Sequence, residues 1–370
     1  MKILLLADPS NPHTIKWVNS LSDKEVDIFL FGLSKFDDSF YPDSIKIESF
    51  RTPSMIKSKL SGNVFKIIYI SAFLKIKRII DKFKPDIIHA HYAGSYGLLG
   101  ALTKFHPYIL SVWGVDINIY PKVSFIHNYL IKYSLNKADT LLATSKILKE
   151  ETQKYTNQEI EITPFGIDLH LFKKKSEKSI FSSEDIVIGT VKRLEEKYGI
   201  DDLIKAFGIV RDAHPNLSLK LLLVGDGSIR EKLTSLVNQL DLGYVVTFAG
   251  EVPISKVVDY HNIMDIEVFL SKTESFGVSV LEASATETPV VVTNVGGLPE
   301  VVEDGVTGIV VPLGNMNKTV KAIERLILDY RLRIKMGKAG RTRVINLYNW
   351  EDNVQQMINI YERVIKNNAD

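Results

Sequence analysis

Residues 266–312 read IEVFLSKTESFGVSVLEASATETPVVVTNVGGLPEVVEDGVTGIVVP, and the alternation inside this stretch decides the fold class. IEVFLS is a short apolar run ending at Ser271, of the kind that fills a strand buried on both faces. A short loop follows, SVLEASA is helical, and TPVVVTNV is a second buried strand. Strand, helix and strand in that order belong to a parallel sheet with helical crossovers. Two carboxylates eight positions apart, Glu274 and Glu282, flank the helix start, which Ser275, Phe276 and Gly277 open. A helix start presents unpaired N–H groups and a positive dipole end, so it suits an anion. Gly277 lets the backbone come close to that anion. At 1.5 Å per residue, eight residues span at most ~12 Å, about the reach from a ribose, past two phosphates, to a sugar. One carboxylate could take ribose hydroxyls and the other sugar hydroxyls, with the diphosphate between. The plain alternative is two solvated glutamates on an ordinary helix.

Outward from this unit the same alternation continues. KILLLA, VDIFLF, DIIHAHY, YILSVW, TLLAT and IEITPFG read as strands in the first part, and DIVIGTV, LKLLLVG and VVTFAG join the two above in the second. Between the sets, DLHLFKKKSEKSIFSSED is Lys- and Ser-rich without apolar period and reads as a linker. The expectation is α/β: two doubly wound Rossmann-like domains, residues 1–170 and 183–349, facing a central cleft. Residues 350–370 form a last helix that could pack on either domain.

Composition narrows the class. The 370 residues carry 46 Lys and Arg against 44 Asp and Glu, a balance that gives no argument for nucleic acid as a partner. Up to residue 170 there are 21 basic against 17 acidic residues, and 25 against 27 beyond it. No cysteine is present, so disulfides, thiolate metal sites and cysteine nucleophiles are excluded. MKILLLADPSNPH has too short an apolar run for a signal peptide and reads as a first strand. No uncharged run approaches the ~18 apolar residues of a membrane span. A cytoplasmic protein is expected.

Several motifs in order resemble glycosyltransferase family 4, the retaining enzymes of GT-B fold. Residues 274–282 look like the family's E-x7-E signature. TVKRLEEKYGIDDLIKAF is similar to its R-L…K-G segment, LLLVGDGSIREKL to its V-G-x-G element, and TPFGIDLHLF to the P-x-G-[IV]-D…F stretch closing the first domain. The resemblance covers nearly the whole chain. It implies that Glu282 binds a ribose and Glu274 the sugar hydroxyls. It places the amides of Phe276, Gly277 and Val278 against the phosphates, with Arg193 and Lys197 as diphosphate-binding cations. Lys197 stands one position early, because Tyr198 intervenes before Gly199. Gly225 ends a strand where backbone could approach the nucleoside, and Gly296-Gly297 reads as a tight strand-to-helix connection. The C-terminal helix is implied to cross back to the first domain.

The implied reaction needs no cofactor and no metal. No Asp-x-Asp pair is present to hold a divalent ion, and fixed cations with a helix N-terminus can neutralise a departing nucleoside diphosphate instead. At an effective dielectric of 20, one cation ~4 Å from a phosphate contributes about 4 kcal/mol before desolvation. The helix end adds ~1–2 kcal/mol.

On the acceptor side, DIIHAHYAGSYG and SVWGVDI end two strands. His91 resembles the family histidine that touches the transferred sugar, whereas His89 is expected to face the other side of the strand and to be structural. Asp116 matches the acid of the family's H-G-x-D segment, although Trp113 stands where histidine is common. His13, Thr14 and Lys16 lie in PSNPHTIKW, where relatives carry Gly-Gly, and are candidate acceptor contacts beside the alternative of a solvated loop. Phe165 stands in place of a common Asn.

Residues 64–84 read as one helix whose core face is Ile68, Ala72, Ile76, Ile79, Ile80 and Phe83. A second apolar arc, Ile67, Ile70 and Leu74, is edged by Lys66, Lys75, Lys77, Arg78, Lys82 and Lys84. Such an arc suits an anionic membrane surface, the alternative being a buried helix with snorkelling lysines. The leading expectation is a transferase moving a sugar from a nucleotide-diphosphate donor, a UDP-sugar for preference, to a glycan or lipid-linked acceptor in surface polysaccharide synthesis. A nucleotide-sugar epimerase of the same architecture and a non-catalytic sugar-nucleotide binder are the alternatives. Dinucleotide redox chemistry is excluded, since LLLADPSNPH offers no G-x-G-x-x-G after the first strand.

Overall fold

The computed structural model describes residues 1–52, 62–175 and 180–368; the side chains of 51, 52 and 62–70 lie outside that description. The chain divides into two units, Met1–Pro164 with Val354–Asp370, and Phe165–Asn353.

In the first unit seven parallel strands lie in the order β3-β2-β1-β4-β5-β6-β7. They are β1 Lys2–Leu6, β2 Asp27–Ser34, β3 Lys46–Thr52, β4 Ile87–His91, β5 Tyr108–Val112, β6 Thr140–Ala143 and β7 Ile160–Ile162. The winding direction reverses between β1 and β4, whose register sets Leu5 beside His89. Helix α1 (Pro12–Ser22) follows β1, capped by the Asn11 side chain with Pro12 in its first turn. Helix α2 (Gly62–Phe83) buries Ala72, Ile76, Ile79 and Phe83 against Leu4, Ile88 and Leu110 of the sheet, the face its period anticipates.

The second unit has six parallel strands in the order β10-β9-β8-β11-β12-β13: β8 Ile186–Val191, β9 Leu219–Val224, β10 Val246–Gly250, β11 Ile266–Phe269, β12 Val290–Thr293 and β13 Gly308–Val311. Its reversal falls between β8 and β11. Both units are therefore doubly wound α/β, as the strand and helix alternation requires. Strands β3 and β13 are additions to the expected set.

The unit boundary lies earlier than residue 170, and the stretch read as a linker is packed at its start. Ile167 N–H donates to Tyr348 O (2.7 Å), Phe172 is buried, and Lys175 N–H donates to Asn262 Oδ1 (2.8 Å). The apolar Phe172 and these backbone bonds outweigh the polar composition around them. Helix α3 (Phe125–Lys137) lies between β5 and β6, and α4 (Ile254–Ile263) between β10 and β11. The final helix, Trp350–Asn367, belongs to the first unit from Val354 onward. There Val354, Met357, Tyr361 and Val364 form a buried stripe, and Gln356 donates to Ile162 O (3.0 Å).

Candidate functional site

In doubly wound sheets ligands bind beyond the carboxyl ends of the strands at the reversal point. In the second unit that point brings together the residues after β8 and β11. Lys192, first after β8, donates to Glu274 Oε2 at 2.6 Å, and its side chain is only 11 % exposed. Ser271 Oγ donates to the same oxygen at 3.4 Å. Arg193 points elsewhere: it is 78 % exposed, with its guanidinium 3.9 Å from Glu195. Lys192 and Lys197 both lie over the Tyr198 ring, 4.6 and 4.8 Å from its centroid. The Tyr198 that displaces Lys197 from its expected position thus carries both lysines. Lys192 is the functional candidate that sequence reasoning missed.

Glycines make this crowding possible. A Cβ on Gly225 would lie 2.1 Å from Lys192 O, and one on Gly296 would lie 1.7 Å from Glu274 O. Gly297 N–H donates to that same Glu274 carbonyl at 3.2 Å. Gly225 and Gly296-Gly297 therefore let neighbouring loops close on the backbone carrying Lys192 and Glu274. Phe276 is a buried peg between Phe165 and Tyr348, with ring centroids 6.0 and 5.8 Å away. Gly277, at φ +108°, opens helix α5 (Val278–Ala285) without a side-chain cap. The amides of Phe276, Gly277 and Val278 precede the first intrahelical donor, which leaves this helix start suited to an anion. Two turns on, Glu282 Oε2 lies 3.6 Å from Nε2 of the buried His261.

In the first unit the reversal point gathers His13, Tyr92, His91 and Trp113. The His91 ring is 4.3 Å from Trp113, and His13 meets Trp113 edge-on at 6.0 Å. Asn11 Nδ2 donates to Tyr92 OH at 3.0 Å. Tyr92 holds φ +71°, a left-handed conformation that side-chain-bearing residues seldom adopt and that clusters at ligand sites. His91 Nδ1 is buried without a hydrogen-bond partner among the described residues. Burial, with His89 and His13 adding to it, drives the His91 pKa well below the ordinary histidine value, so its ring is neutral at pH 7.

His89 does not face the opposite side of β4. Residues two apart share a face of a strand, and the two histidine rings are 4.7 Å apart. Its ring nitrogens lie 2.7 Å from Tyr361 OH and 2.7 Å from Ser111 Oγ, and burial lowers its pKa to about 3. Asp116 is buried and accepts from the amides of Ala93 (2.8 Å), Gly114 (2.8 Å) and Trp113 (3.2 Å). It clasps the loops after β4 and β5, and burial outweighs those bonds to raise its pKa. Lys16 sits one turn after His13 on α1, with Thr14 buried between. Among the described residues no group of three or more His, Asp and Glu is placed to hold a metal ion.

Comparison with known proteins identifies the family. Residues 172–343 match the family described as Glycosyl transferases group 1, and residues 2–145 match Glycosyl transferase 4-like. The chain is a family 4-type glycosyltransferase. Among its relatives, this glycosyltransferase is 29 % identical over 310 residues to the N-acetyl-alpha-D-glucosaminyl L-malate synthase of Bacillus anthracis, covering 80 % of this chain and 79 % of that one. It is 28 % identical over 317 residues to the capsular polysaccharide biosynthesis glycosyltransferase CapM of Staphylococcus aureus, covering 79 % and 81 %. Its fold matches that of Anabaena Alr3699/HepE, solved in complex with UDP, at a TM-score of 0.80 and 18 % identity over 98 % of this chain and 100 % of the other. The glycosyltransferase is thus of GT-B fold. No helix among its described residues is long and apolar enough to cross a membrane.

Proposed function

We propose that this glycosyltransferase uses a UDP-sugar, retains the donor's anomeric configuration, and works without a bound metal. Lys192 held on Glu274 beside an uncapped helix start carries this reading. Glu274 would accept the sugar hydroxyls, and Glu282 the ribose hydroxyls. The Phe276–Val278 amides with Arg193 and Lys197 would take up the charge that accumulates on the leaving diphosphate. Arg193, exposed in the free protein, has the freedom to fold over a bound phosphate. His91, neutral and with an unpartnered nitrogen, would hydrogen-bond the transferred sugar rather than donate a proton from an imidazolium. Asp116 would act on the acceptor side by holding the His91 and Trp113 loops, and His13 and Lys16 would meet the acceptor.

The UDP in the Anabaena neighbour and the polysaccharide role of the Staphylococcus relative support a UDP donor and a surface-glycan acceptor. We further propose that the acceptor is met at an anionic membrane surface, on the cytoplasmic face. In the first unit Val115, Ile119, Val123, Phe125, Ile126 and Tyr129 are exposed, Phe125 at 83 %. Lys122, Lys132 and Lys137 are exposed in or just after this stretch, and no acid lies between residues 117 and 138.

The test is turnover with a panel of nucleotide sugars. Glu274→Ala and Arg193→Ala should each lower kcat/KM by about tenfold or more, some 1.4 kcal/mol. Wild-type turnover in both variants removes the site assignment. Product anomers read by NMR decide retention, and full activity after chelation decides metal independence. Conversion of the donor alone, with no acceptor present, would point to an epimerase. Binding without transfer or hydrolysis would point to a sugar-nucleotide binder.

A further inference from the structure

Glu267 lies in β11 between Ile266 and Val268, and like His261 it is wholly buried. A carboxylate in the middle of an apolar strand opposes folding unless it is paired, and an apolar pair of the same size would usually stabilise as well or better. Its partner is His261, whose Nδ1 lies 2.6 Å from Glu267 Oε1. The other nitrogen of that ring faces Glu282 Oε2 at 3.6 Å, with no hydrogen-bond partner of its own among the described residues. The result is a line of three groups on three elements, β11, α4 and α5, running from the core to a carboxylate 12 % exposed. His261 stands in the last turn of α4, where the helix's carbonyl ends favour a cation.

A carboxylate bonded to one nitrogen of an imidazole fixes what the other nitrogen presents. With Glu267 holding Nδ1–H, a protonated His261 aims Nε2–H at Glu282. Burial opposes that charge, but Glu267 and Glu282 outweigh it and raise the His261 pKa to about 9.

We propose that His261 and Glu267 are positioning residues for nucleotide recognition, fixing Glu282 as an oriented carboxylate whose second oxygen accepts from the ribose diol. This rests on the reading that Glu282 binds the ribose. One carboxylate oxygen faces the His261 ring across 3.6 Å, so the other is left with a defined direction, and the diol meets an acceptor already in place.

Calorimetric binding of UDP and of 2′,3′-dideoxy-UDP to the full chain tests it. The wild type should prefer UDP by at least about tenfold. His261→Leu/Glu267→Leu replaces the pair with apolar side chains of similar volume and removes both wholly buried groups together, leaving Glu282 without its imidazole neighbour. It should bring the preference below about threefold while leaving dideoxy-UDP affinity within about threefold of wild type. Glu267→Gln keeps the shape of the pair and should fold even if the double variant does not; it should lower the preference about two- to fivefold. A full preference for UDP in these variants overturns the proposal, and so does an equal loss of both ligands, which would mean a merely structural role. Glu282→Ala separates the two layers. If it keeps the full preference, the ribose reading falls and the proposal with it. If it loses the preference while the His261 and Glu267 variants keep theirs, the proposal alone falls.

Discussion

Lys192 and Arg193 leave the end of β8 side by side, yet one is held in the site and the other stands in solvent, because successive side chains of an extended chain point to opposite faces. The two should fail differently. Lys192→Met leaves a part-buried Glu274 without its cation and should cost about 1–3 kcal/mol of stability. Adding Glu274→Gln should recover at least half of it in a denaturant-unfolding cycle. Arg193→Ala, on an exposed side chain, should change stability by no more than ~0.5 kcal/mol, with its whole effect on turnover. Equal stability losses in the two single variants would show that the 2.6 Å contact contributes nothing. Glu274 and Arg193 could be nominated as candidates from the sequence because their motifs are local. Lys192 was not, since its partner is 82 positions away and meets it only through the strand order. His261 and Glu267 escaped for a related reason: a histidine in a helix and a glutamate within a short strand carry no signal until the helix folds back on the strand.

At the scale of elements, the loop after β12 shows how a connection can hold the turn that carries Glu274. Gly296, at φ +52°, closes on Glu274 O so tightly that an added methyl has no space. Gly296→Ala should therefore cost about 2 kcal/mol or more and lower kcat/KM with it. Gly314→Ala is the control: φ is +71° there too, but nothing lies within 4 Å, so only the backbone cost of about 1 kcal/mol should appear in thermal unfolding. The helices and strands packed around His261 make a second prediction. Despite burial, its folded pKa is raised above the ordinary value near 6.5, chiefly by the Glu267 carboxylate, so the unfolded chain loses this proton first as pH rises. The associated stability is full below about pH 6.5 and is lost as pH climbs through about 9. The expected loss is on the order of 2 kcal/mol, and His261→Leu/Glu267→Leu should abolish that slope in unfolding midpoints measured across the range. Most elements were legible, because strands buried on both faces read as continuous apolar runs. The exceptions have physical reasons. Strand β3, KIESFRT, is an edge strand of mixed polarity, and β13, GIVV, is too short to stand out from the turn before it.

For the whole molecule, the proposed membrane contact has two candidate surfaces, the residues 64–84 that the sequence suggests and the exposed apolar set at 115–129. In α2, Leu74 is exposed, but Lys75 is drawn to Glu48 (2.6 Å) and lies over Phe50, while Lys77 lies over Phe73. Ile67, Ile70 and Lys66 fall outside the described side chains. A further exposed apolar set lies at 115–129, and sequence hydrophobicity alone does not tell an outward face such as this from an inward one. The first part of the chain also carries the basic excess, 21 residues against 17. A surface of aromatic and branched side chains edged by lysines gains from both apolar insertion and anionic headgroups, and the second contribution is screened by salt. Cosedimentation with vesicles of phosphatidylglycerol and phosphatidylcholine should therefore exceed that with phosphatidylcholine alone, and should weaken as salt rises. Phe125→Ser/Tyr129→Ser should lower binding by at least about fivefold, with thermal unfolding unchanged because both side chains are exposed. Charge reversal at Arg78 and Lys82 separates the two surfaces: a larger loss there than at Phe125 and Tyr129 would return the contact to α2. Equal sedimentation with neutral and anionic vesicles at low salt would remove membrane contact from both.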